Sequence, residues 1–430
     1  NLIPDDIYNF AWKLWWFHKS LLDLGQSPFV TNYIQHPMGR TLYATQTTLF
    51  NTLLSVPLQT LTSLRGAYNL LLMAQFVLAG IGMYLLAHYV LEDRWAALLA
   101  AFIFAFSPFH LAQALARINL SSIQWIPFYV LFVVKTHRKP TLFRSTCVIV
   151  FLFLCTISSW YYLLFGLLFI GFFVIYQLLT EGFHYLQTNS FAVLFLSHLY
   201  TGILLMPLAA PMIAEIAGGK IWAPYELLSH NTDVLGFFIP SSSTNLGQYF
   251  RPWNEFCCNQ GPIQNTYYLG WTAILLFGLG VYRSEINPMW VCCFFFLWVL
   301  SLGAELQILN YKTGLPLPYA LKDYLNLFQS MRIPSRITAY TMVPFALVAG
   351  SGFSTLKTNI SRLDLRVDPR AIHTVTIMLF LALLTVEYVI FPYPTFDPKT
   401  PDFYKTLKKT GMKTAVLPVP PQDDFMAGGY

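Results

Sequence analysis

The chain has 430 residues, of which 56% are hydrophobic and only 11% are charged. A soluble globular protein carries about a quarter charged residues, so this composition excludes a soluble enzyme. The formal net charge of +6 is accounted for by the connectors between apolar segments and by five lysines near the end of the chain. We therefore expect no nucleic-acid partner, and any attraction to anions is expected to involve lipid headgroups or a phosphate-bearing lipid.

Two adjacent carboxylates, Asp5 and Asp6, precede a tryptophan-rich segment at the start of the chain. At 100° per residue, Asp6, Asn9, Lys13 and Ser20 share one polar stripe, and apolar residues cover most of the remaining surface. This pattern predicts a helix in the membrane interface, with tryptophans at the headgroup level. Asp5 or Asp6 can cap the N-terminus of this helix, where the helix dipole favours a carboxylate. Alternatively, one of them can remove a proton from a hydroxyl acceptor at the water–lipid boundary, and both roles remain open.

Ten long segments that are apolar and almost free of charge follow, each able to cross about 30 Å of hydrocarbon. They are 67–90, 95–114, 118–134, 142–157, 160–180, 191–213, 266–282, 287–304, 337–356 and 371–390. The uncharged stretch 145–180 is too long for one span, and we divide it at 158–160. The sequence therefore predicts an all-α polytopic membrane protein with about ten visible transmembrane helices.

Lysine and arginine are unevenly distributed between alternate connectors, which predicts orientation. One set, 91–95, 135–144, 181–190, 283–287 and 357–370, holds ten in 44 residues, against ten in 169 for the other set. The first set is therefore predicted to be cytoplasmic. Residues 1–66 then form an external loop, 67–391 form the bundle, and 392–430 begin an external C-terminal domain. Because an external start without Met implies a preceding helix, we expect at least eleven spans in the full chain.

The external connectors are much longer than the cytoplasmic ones, and long ordered loops tend to carry function. The main ones after the first loop are 108–121, 213–265 and 303–335. Loop 108–121 offers His110, Arg117 and Asn119 and contains no acidic residue. His110 is either an interface residue or part of a site. We therefore expect any catalytic activity on the outer face.

Further candidates lie at other external positions. Trp160 and Tyr161 follow a very short turn and either anchor the helix at the interface or stack on a sugar. Glu215 and Asp233 occur in the loop 213–265 and are candidates to support an acceptor or a metal. Glu387, near the outer end of the last span, is an intramembrane carboxylate and hence a functional candidate, unless solvent reaches it directly.

The tail after residue 391 has its own pattern. It predicts a helix over 401–409, a stop at Gly411 and a strand over 414–418, which is the start of an α/β unit. The six cysteines show no CxxC metal pattern, and four of them fall inside predicted spans. No Walker loop or GxGxxG motif occurs, so nothing indicates nucleotide hydrolysis.

Several stretches carry a resemblance to a known family. They are HPMG at 36–39, AYNLL at 67–71, FSPFHL at 106–111, RINLSSIQWIPFY at 117–129, LGFFIPS at 235–241, YLGW at 268–271 and MRIPSRI at 331–337. Together with an acidic residue in the first external loop, an interfacial helix and many spans, they resemble the GT-C superfamily of integral-membrane glycosyltransferases. The likeness is greatest to the bacterial branch of predicted membrane glycosyltransferases that includes the YfhO-like proteins, and it covers nearly the whole chain.

The resemblance implies inverting transfer of a sugar, hexosyl or pentosyl, from a polyprenyl-phosphate donor to a glycan, lipid or protein acceptor. It implies location in the plasma (inner) membrane with the active site outside. The family's catalytic aspartate maps onto Asp6 or Asp5, and Asp6 is favoured because it lies on the polar stripe. Many members have a second acid in the next external loop, which is absent here. This departure argues against a metal-dependent reaction and leaves the second site residue open. A divalent metal stays possible, with no cofactor certain and no metal ligands assigned.

A sugar-phosphate donor requires cations beside the leaving phosphate, and arginine suits that role because of its bidentate fork. Arg117, Arg332 and Arg336 are the external arginines at the membrane boundary. They are therefore candidates for donor phosphate binding, with snorkelling at the interface as the alternative. His110, Asn119, Glu215, Trp160 and Tyr161 are the candidates for acceptor or sugar binding.

Two other functional classes remain open. A lipid or polysaccharide transporter or flippase is the first, although such proteins place charged residues near the membrane midplane and these spans carry almost none. A non-catalytic subunit that keeps the GT-C-like fold as a scaffold is the second. Substitution of both Asp5 and Asp6 by Asn discriminates between these classes and the enzyme, since only the enzyme depends on them.

Overall fold

The computed structural model of the chain describes residues 6–218, 231–257, 266–283, 285–324, 331, 333–362, 368–395 and 402–410. Its helices and strands are, in order, α1 (Asp6–His18), β1 (Val30–Thr31), β2 (Arg40–Thr41), α2 (Leu49–Leu61), α3 (Leu64–Leu91), α4 (Arg94–Ala105), α5 (Pro108–Ala114), α6 (Ile118–Ser121), α7 (Trp125–Arg138), α8 (Leu142–Ser158), α9 (Trp160–Glu181), α10 (Asn189–Ala217), α11 (Arg251–Cys257), α12 (Trp271–Arg283), α13 (Pro288–Ser301), β3 (Glu305–Ile308), β4 (Tyr311–Pro316), α14 (Thr338–Ser361), α15 (Pro369–Tyr388) and α16 (Asp402–Thr410). A π-helical turn, Lys19–Asp23, extends α1.

Every predicted span coincides with helical structure. Within the described residues, six helical segments are long and apolar enough to cross a membrane, and α4 with α5 forms a bent pair that makes a seventh. Helices α8, α12 and α13 are apolar but shorter, with 17, 13 and 14 residues. At 1.5 Å per residue these three cover about 20–26 Å, so their complete crossing stays a prediction. The chain is an all-α, multi-pass membrane protein, as its composition predicts.

Two breaks interrupt the long apolar stretches. The predicted division at 158–160 is confirmed, because α8 ends at Ser158, Ser159 is extended, and α9 begins at Trp160. The predicted single span 95–114 is instead bent by 41° between α4 and α5. Pro108 begins α5 and lacks an N–H for the preceding turn, while the Ser107 hydroxyl accepts a hydrogen bond from the backbone N–H of His110. This bend turns the 108–121 segment back into the protein.

Helix α14 forms the centre of the bundle. All of its residues from Thr338 to Phe353 are buried, and it packs against α4, α12 and α13. The backbones of α12 and α14 touch at two glycines. A Cβ atom on Gly280 would lie 2.2 Å from the carbonyl oxygen of Val348, and one on Gly352 would lie 1.9 Å from that of Leu276. Only glycine at these positions permits this close approach.

Alanine at position 280 is therefore expected to destabilise the bundle. G280A pushes a methyl group into the α14 backbone, and overpacking of this kind costs about 1–3 kcal/mol. G278A on the same helix is the matched control, because a Cβ on Gly278 meets nothing within 4 Å. The thermal midpoint in detergent should fall for G280A and stay unchanged or rise slightly for G278A. Equal midpoints for the two variants would mean that the helices are not in contact here.

The described part of the segment predicted as the first external loop, residues 6–66, is a folded layer. Helix α1 packs on α2 and α3, and the loop between α1 and α2 contains the antiparallel pair β1–β2. Part of the predicted polar stripe of α1 is buried, since Lys13 is 3% exposed and Ser20 is fully buried, whereas the Asp6 side chain is 41% exposed. The buried members have acceptors inside the protein: the Lys13 ammonium donates to the carbonyl of Gln46 at 3.0 Å, and the Ser20 hydroxyl donates to that of Phe17 at 3.2 Å.

The tryptophans of α1 belong partly to the core of this layer. Trp16 is fully buried, and its indole N–H donates to the carbonyl of Pro28 at 2.8 Å. Trp12 stacks on Trp16 with ring centroids 5.9 Å apart. Trp16 is therefore a core residue of this layer, with its polar atom satisfied inside the protein, and the depth of the tryptophans in the membrane stays a prediction.

The C-terminal part contains a second small sheet and a separate helix. Strands β3 and β4 form an antiparallel hairpin. Helix α16 occupies the position of the predicted helix 401–409. Gly411 and the predicted strand over 414–418 lie outside the described residues.

Candidate functional site

The structure brings Asp6 and Arg117 into contact across 111 positions of sequence. Asp6 is the first residue of α1, and Arg117 immediately precedes α6. The Nε of Arg117 donates to Oδ2 of Asp6 at 2.7 Å, and the side chains are 13% and 41% exposed, respectively. The carboxylate is therefore oriented by a nearly buried guanidinium while it keeps access to solvent. Its other oxygen, Oδ1, has no hydrogen-bond partner among the described residues.

A buried polar network fixes the turn that follows Arg117. The amide nitrogen of Gln75 on α3 donates to Oδ1 of Asn51 at 3.1 Å and to the Ser122 hydroxyl at 2.9 Å. The Ser121 hydroxyl donates to Oε1 of Gln75 at 2.6 Å. All four side chains are 2% exposed or less. Because the network joins α2, α3 and α6, it holds Arg117 at a fixed position opposite α1.

A second chain of contacts runs from α1 towards Asn119. Lys13, two turns after Asp6, donates to the Gln46 carbonyl, and the Asn119 amide donates to Oε1 of Gln46 at 3.0 Å. Oδ1 of Asn119 is buried and has no hydrogen-bond partner within the part of the chain that the structure describes. A buried amide oxygen that lacks a donor is costly, which makes it a position where a ligand hydroxyl can bind.

Asn119, Trp160 and Tyr161 line one cleft, which we call the outer cleft. Its other walls come from the first external loop, the end of α8 and α10. The cleft has an empty volume of about 550 Å³ and is lined by Phe29, Tyr43, Gln46, Thr47, Thr48, Leu49, Asn119, Thr156, Ile157, Ser158, Ser159, Trp160, Tyr161 and Leu208. Aromatic faces beside amides and hydroxyls suit the binding of a sugar or of the start of a lipid chain.

Arg336 reaches the same wall from the short turn Pro334–Ile337, which immediately precedes α14. Its guanidinium lies over the ring of Tyr161, with Cζ 4.8 Å from the centroid. The residue is 6% exposed, it forms no ion pair with any described residue, and its Nη1 is buried without a partner. A buried guanidinium without a counter-ion is unfavourable, so this position favours an anionic ligand.

The pKa of Lys13 is lowered to about 7, because burial and, to a smaller extent, the nearby Arg40 charge lower it more than the Asp6 carboxylate raises it. Between about pH 7 and 10.5 the unfolded chain holds the proton more tightly than the folded protein. The thermal midpoint should therefore rise with pH across that window. K13M should abolish this rise, whereas K19M, at an exposed ion pair with Asp23, should keep it. A profile that is the same in K13M and in the native chain would contradict a buried amine.

The other predicted site residues lie elsewhere. His110 is fully buried and stacks on Phe76 with centroids 4.0 Å apart, so it belongs to the core rather than to the outer cleft. Glu215 is inside the last turn of α10 and has no ion-pair or hydrogen-bond partner among the described residues. The structure does not bring either of them to the Asp6–Arg117 pair. Asp5 and Arg332 lie outside the described residues.

Two carboxylates that were candidates for function have structural partners. The carboxylate of Asp233 accepts from the backbone N–H of Asn310 at 2.7 Å, which ties the 213–265 loop to the β3–β4 hairpin. Glu387 on α15 accepts from the backbone N–H and the hydroxyl of Thr272 and from the Tyr268 hydroxyl. It therefore caps the N-terminus of α12 from a distant helix.

Lys13 and Gln46 are the site residues that sequence reasoning missed. The available signal was a lysine inside a tryptophan-rich helix, seven positions after Asp6 and hence on the same face. Among the described residues there is no group of three or more His, Cys, Asp or Glu side chains that could hold a metal ion.

No known family profile matches the sequence, and no curated protein sequence matches it. Among solved structures, the chain is similar to the crystal structure of ArnT from Cupriavidus metallidurans bound to undecaprenyl phosphate. The two sequences are 12% identical, the TM-score is 0.45, and the alignment covers 91% of this chain and 69% of ArnT. At this identity the comparison assigns no role to any residue of the chain.

Proposed function

We propose that the chain is a membrane glycosyltransferase that transfers a sugar from a polyprenyl-phosphate donor to an acceptor hydroxyl. The observation that carries the proposal is the contact between Asp6 and Arg117. It supplies an accessible carboxylate with one oxygen held and one oxygen open, and Asn119, two residues after Arg117, lines the outer cleft with its aromatic and amide walls. Such an arrangement suits a general base for a hydroxyl acceptor.

In the proposed reaction the acceptor hydroxyl attacks the anomeric carbon from the side opposite the phosphate. Its proton passes to Oδ1 of Asp6 as the new glycosidic bond forms. The bond between the anomeric carbon and the phosphate oxygen breaks, and its electron pair leaves with polyprenyl phosphate. Arg117 holds Oδ2 of the carboxylate, so it positions the base. This single displacement inverts the configuration of the anomeric carbon.

The leaving phosphate requires positive charge, and Arg336 is the residue we assign to it. Its unpartnered Nη1 and its stacking on Tyr161 support this role, since the ring occupies the face of the guanidinium and leaves its N–H edge for an anion. Trp160 and Asn119 are proposed to contact the sugar. Asp5 remains an additional candidate for the general base, and Arg332 remains an additional candidate for binding the donor phosphate.

We further propose that the active face is external, because the outer cleft is formed by segments that the lysine and arginine distribution assigns to the outside. The inner (plasma) membrane and the YfhO-like branch of the GT-C superfamily are part of the same proposal, as is a hexosyl or pentosyl donor. A flippase remains the second candidate, and the exposed, oriented carboxylate favours the transferase over it.

The proposal is tested by measuring which class of sugar donor the protein uses. The purified protein in nanodiscs should transfer labelled sugar from polyprenyl-phosphate donors to acceptors from a membrane extract, and should ignore nucleotide sugars. Product formation is followed by scintillation counting after separation of donor and product. Movement of intact donor across vesicles without cleavage would instead identify a flippase and overturn the proposal.

A further inference from the structure

A second, larger cleft lies at the opposite end of the bundle, and we call it the inner cleft. Its empty volume is about 2140 Å³. Its walls are formed by the C-terminal ends of α3, α7, α9 and α14, by the start of α13, and by the segment that precedes α13. All of these segments flank connectors that the sequence predicts to be cytoplasmic. The inner cleft is therefore separate from the Asp6–Arg117 site and plays no part in the proposed transfer.

The wall contributed by α14 is a polar stripe on an otherwise apolar helix. Ser351, Ser354, Thr355, Thr358 and Asn359 all line the cleft, with the helical spacing of a single face. The same helix is entirely buried over its preceding turns. The hydroxyls of Ser351, Thr355 and Thr358 donate to carbonyls of the preceding turn, and that of Ser354 donates to Asp93. Their oxygens can still accept hydrogen bonds, so the stripe gives the cleft a polar wall.

Three arginines line the inner cleft: Arg138, Arg283 and Arg362. All three are exposed, and none forms an ion pair with a described residue, although Glu181 and Glu285 line the same cleft. The arginines and the glutamates of this cleft therefore do not neutralise one another through direct ion pairs. The excess of arginine over carboxylate favours a ligand with net negative charge.

Two of these guanidiniums are already oriented by aromatic rings. Arg138 lies over Tyr89 and Arg283 over Tyr282, each with Cζ 4.9 Å from the centroid. Stacking occupies the face of a guanidinium and leaves its N–H edge free to bind a phosphate through two parallel hydrogen bonds. The arginines are thus arranged to donate to an anion without breaking existing ion pairs.

The same cleft has an apolar wall. Val134, Phe173, Met289 and Trp290 line it beside the charged residues. A ligand that satisfies both surfaces carries a phosphate and a hydrocarbon chain. The carboxylates Glu181 and Glu285 add acceptors for hydroxyl groups on the esterified headgroup.

We propose that the inner cleft binds the headgroup of an anionic phospholipid from the adjacent leaflet. The phosphate binds Arg138, Arg283 and Arg362, the headgroup hydroxyls donate to the carboxylates, and the first methylenes of the lipid lie on the apolar wall. The predicted cytoplasmic position agrees with this ligand, because anionic lipids give that leaflet its negative surface potential.

The test is lipid binding by native mass spectrometry, which is independent of sugar transfer. The probe is phosphatidylglycerol, compared with phosphatidylcholine of the same acyl chains, both titrated into the detergent-solubilised full chain. The native protein should retain phosphatidylglycerol about tenfold more strongly, and the triple variant R138A/R283A/R362A should lose this preference. If that variant does not fold, the single R283Q variant, at an exposed position, should reduce the preference several-fold.

R94A is the matched control, because Arg94 is also exposed, also stacks on an aromatic ring and belongs to the same set of connectors, but does not line the cleft. It should keep the native preference. Equal retention of the two lipids by the native chain would overturn the proposal, as would an equal loss in R94A. Displacement of phosphatidylglycerol by millimolar inorganic phosphate would also contradict it, since the ligand would then be a soluble phosphate.

Discussion

Replacing Asp6 with Asn is expected to abolish sugar transfer while leaving the protein folded. Asparagine has the same shape and can still accept a hydrogen bond from Arg117, so the contact between α1 and the turn before α6 survives. It cannot take up the acceptor proton, and the loss of a general base lowers the rate by about 10²–10⁴-fold. The rate is measured with polyprenyl-phosphate donors in nanodiscs, with the thermal midpoint as the check on folding.

D23N provides the matched control. Asp23 belongs to the same external loop, is 47% exposed in its side chain, and pairs only with Lys19 one turn away among the described residues. It should therefore keep full activity. Full activity in D6N would show that Asp6 is not the general base. The double variant with Asp5→Asn would then decide whether either carboxylate takes part.

Replacing Arg336 produces the second large effect. R336A removes the only guanidinium over Tyr161 among the described residues and leaves the leaving phosphate without its counter-charge, so we expect transfer to fall by about 10²–10³-fold. R336K keeps the positive charge but cannot form two parallel hydrogen bonds to a phosphate, so its transfer rate should lie between those of R336A and the native protein. R336A should change the thermal midpoint little, since the described residues supply no counter-ion that is lost and the cavity left by the side chain offsets the relief of a buried charge.

R251Q is the control for the effect of losing an external arginine, since Arg251 is exposed and pairs with Glu255 one turn away. It should leave both the rate and the donor concentration dependence unchanged. A phosphate clamp at Arg336 predicts a lower kcat together with weaker donor binding. If R336A kept native values of both, the residue would be a structural partner of Tyr161 alone.

The bundle itself could be predicted from the sequence because hydrocarbon imposes a strong constraint. Backbone groups in a membrane must be satisfied within the helix, so long uncharged stretches have few structural alternatives. This constraint gave all ten helical segments and the break before Trp160. It did not give the bend before Pro108, because composition defines the length of an apolar stretch and not its straightness.

The sequence predicted helix α1 and the members of its polar stripe, but not that part of this stripe is buried. A helical wheel shows that Asp6 and Lys13 share a face, and it does not show what that face contacts. Lys13 is buried because the Gln46 carbonyl lies 3.0 Å from its ammonium, in a part of the loop whose path has no periodic signal. The packing of α1 on α2 is a tertiary property that single-sequence patterns do not contain.

The candidate site was predicted as a set of separate residues whose contacts were unknown. Asp6 and Arg117 were assigned to different roles, and the structure pairs them. In the proposed reaction Arg117 therefore positions the carboxylate instead of binding the phosphate. Glu387 illustrates the opposite case, since its burial looked functional until Thr272 and Tyr268 proved to satisfy it.

The anomeric configuration of the product tests the central claim most directly. A donor of defined configuration is converted by the purified protein, and the new glycosidic linkage is assigned from its anomeric coupling constant by NMR. The account predicts complete inversion, because Asp6 acts as a base in a single displacement. Retention of configuration would contradict it, since retention requires a covalent or double-displacement step that this arrangement of Asp6 and Arg117 does not provide.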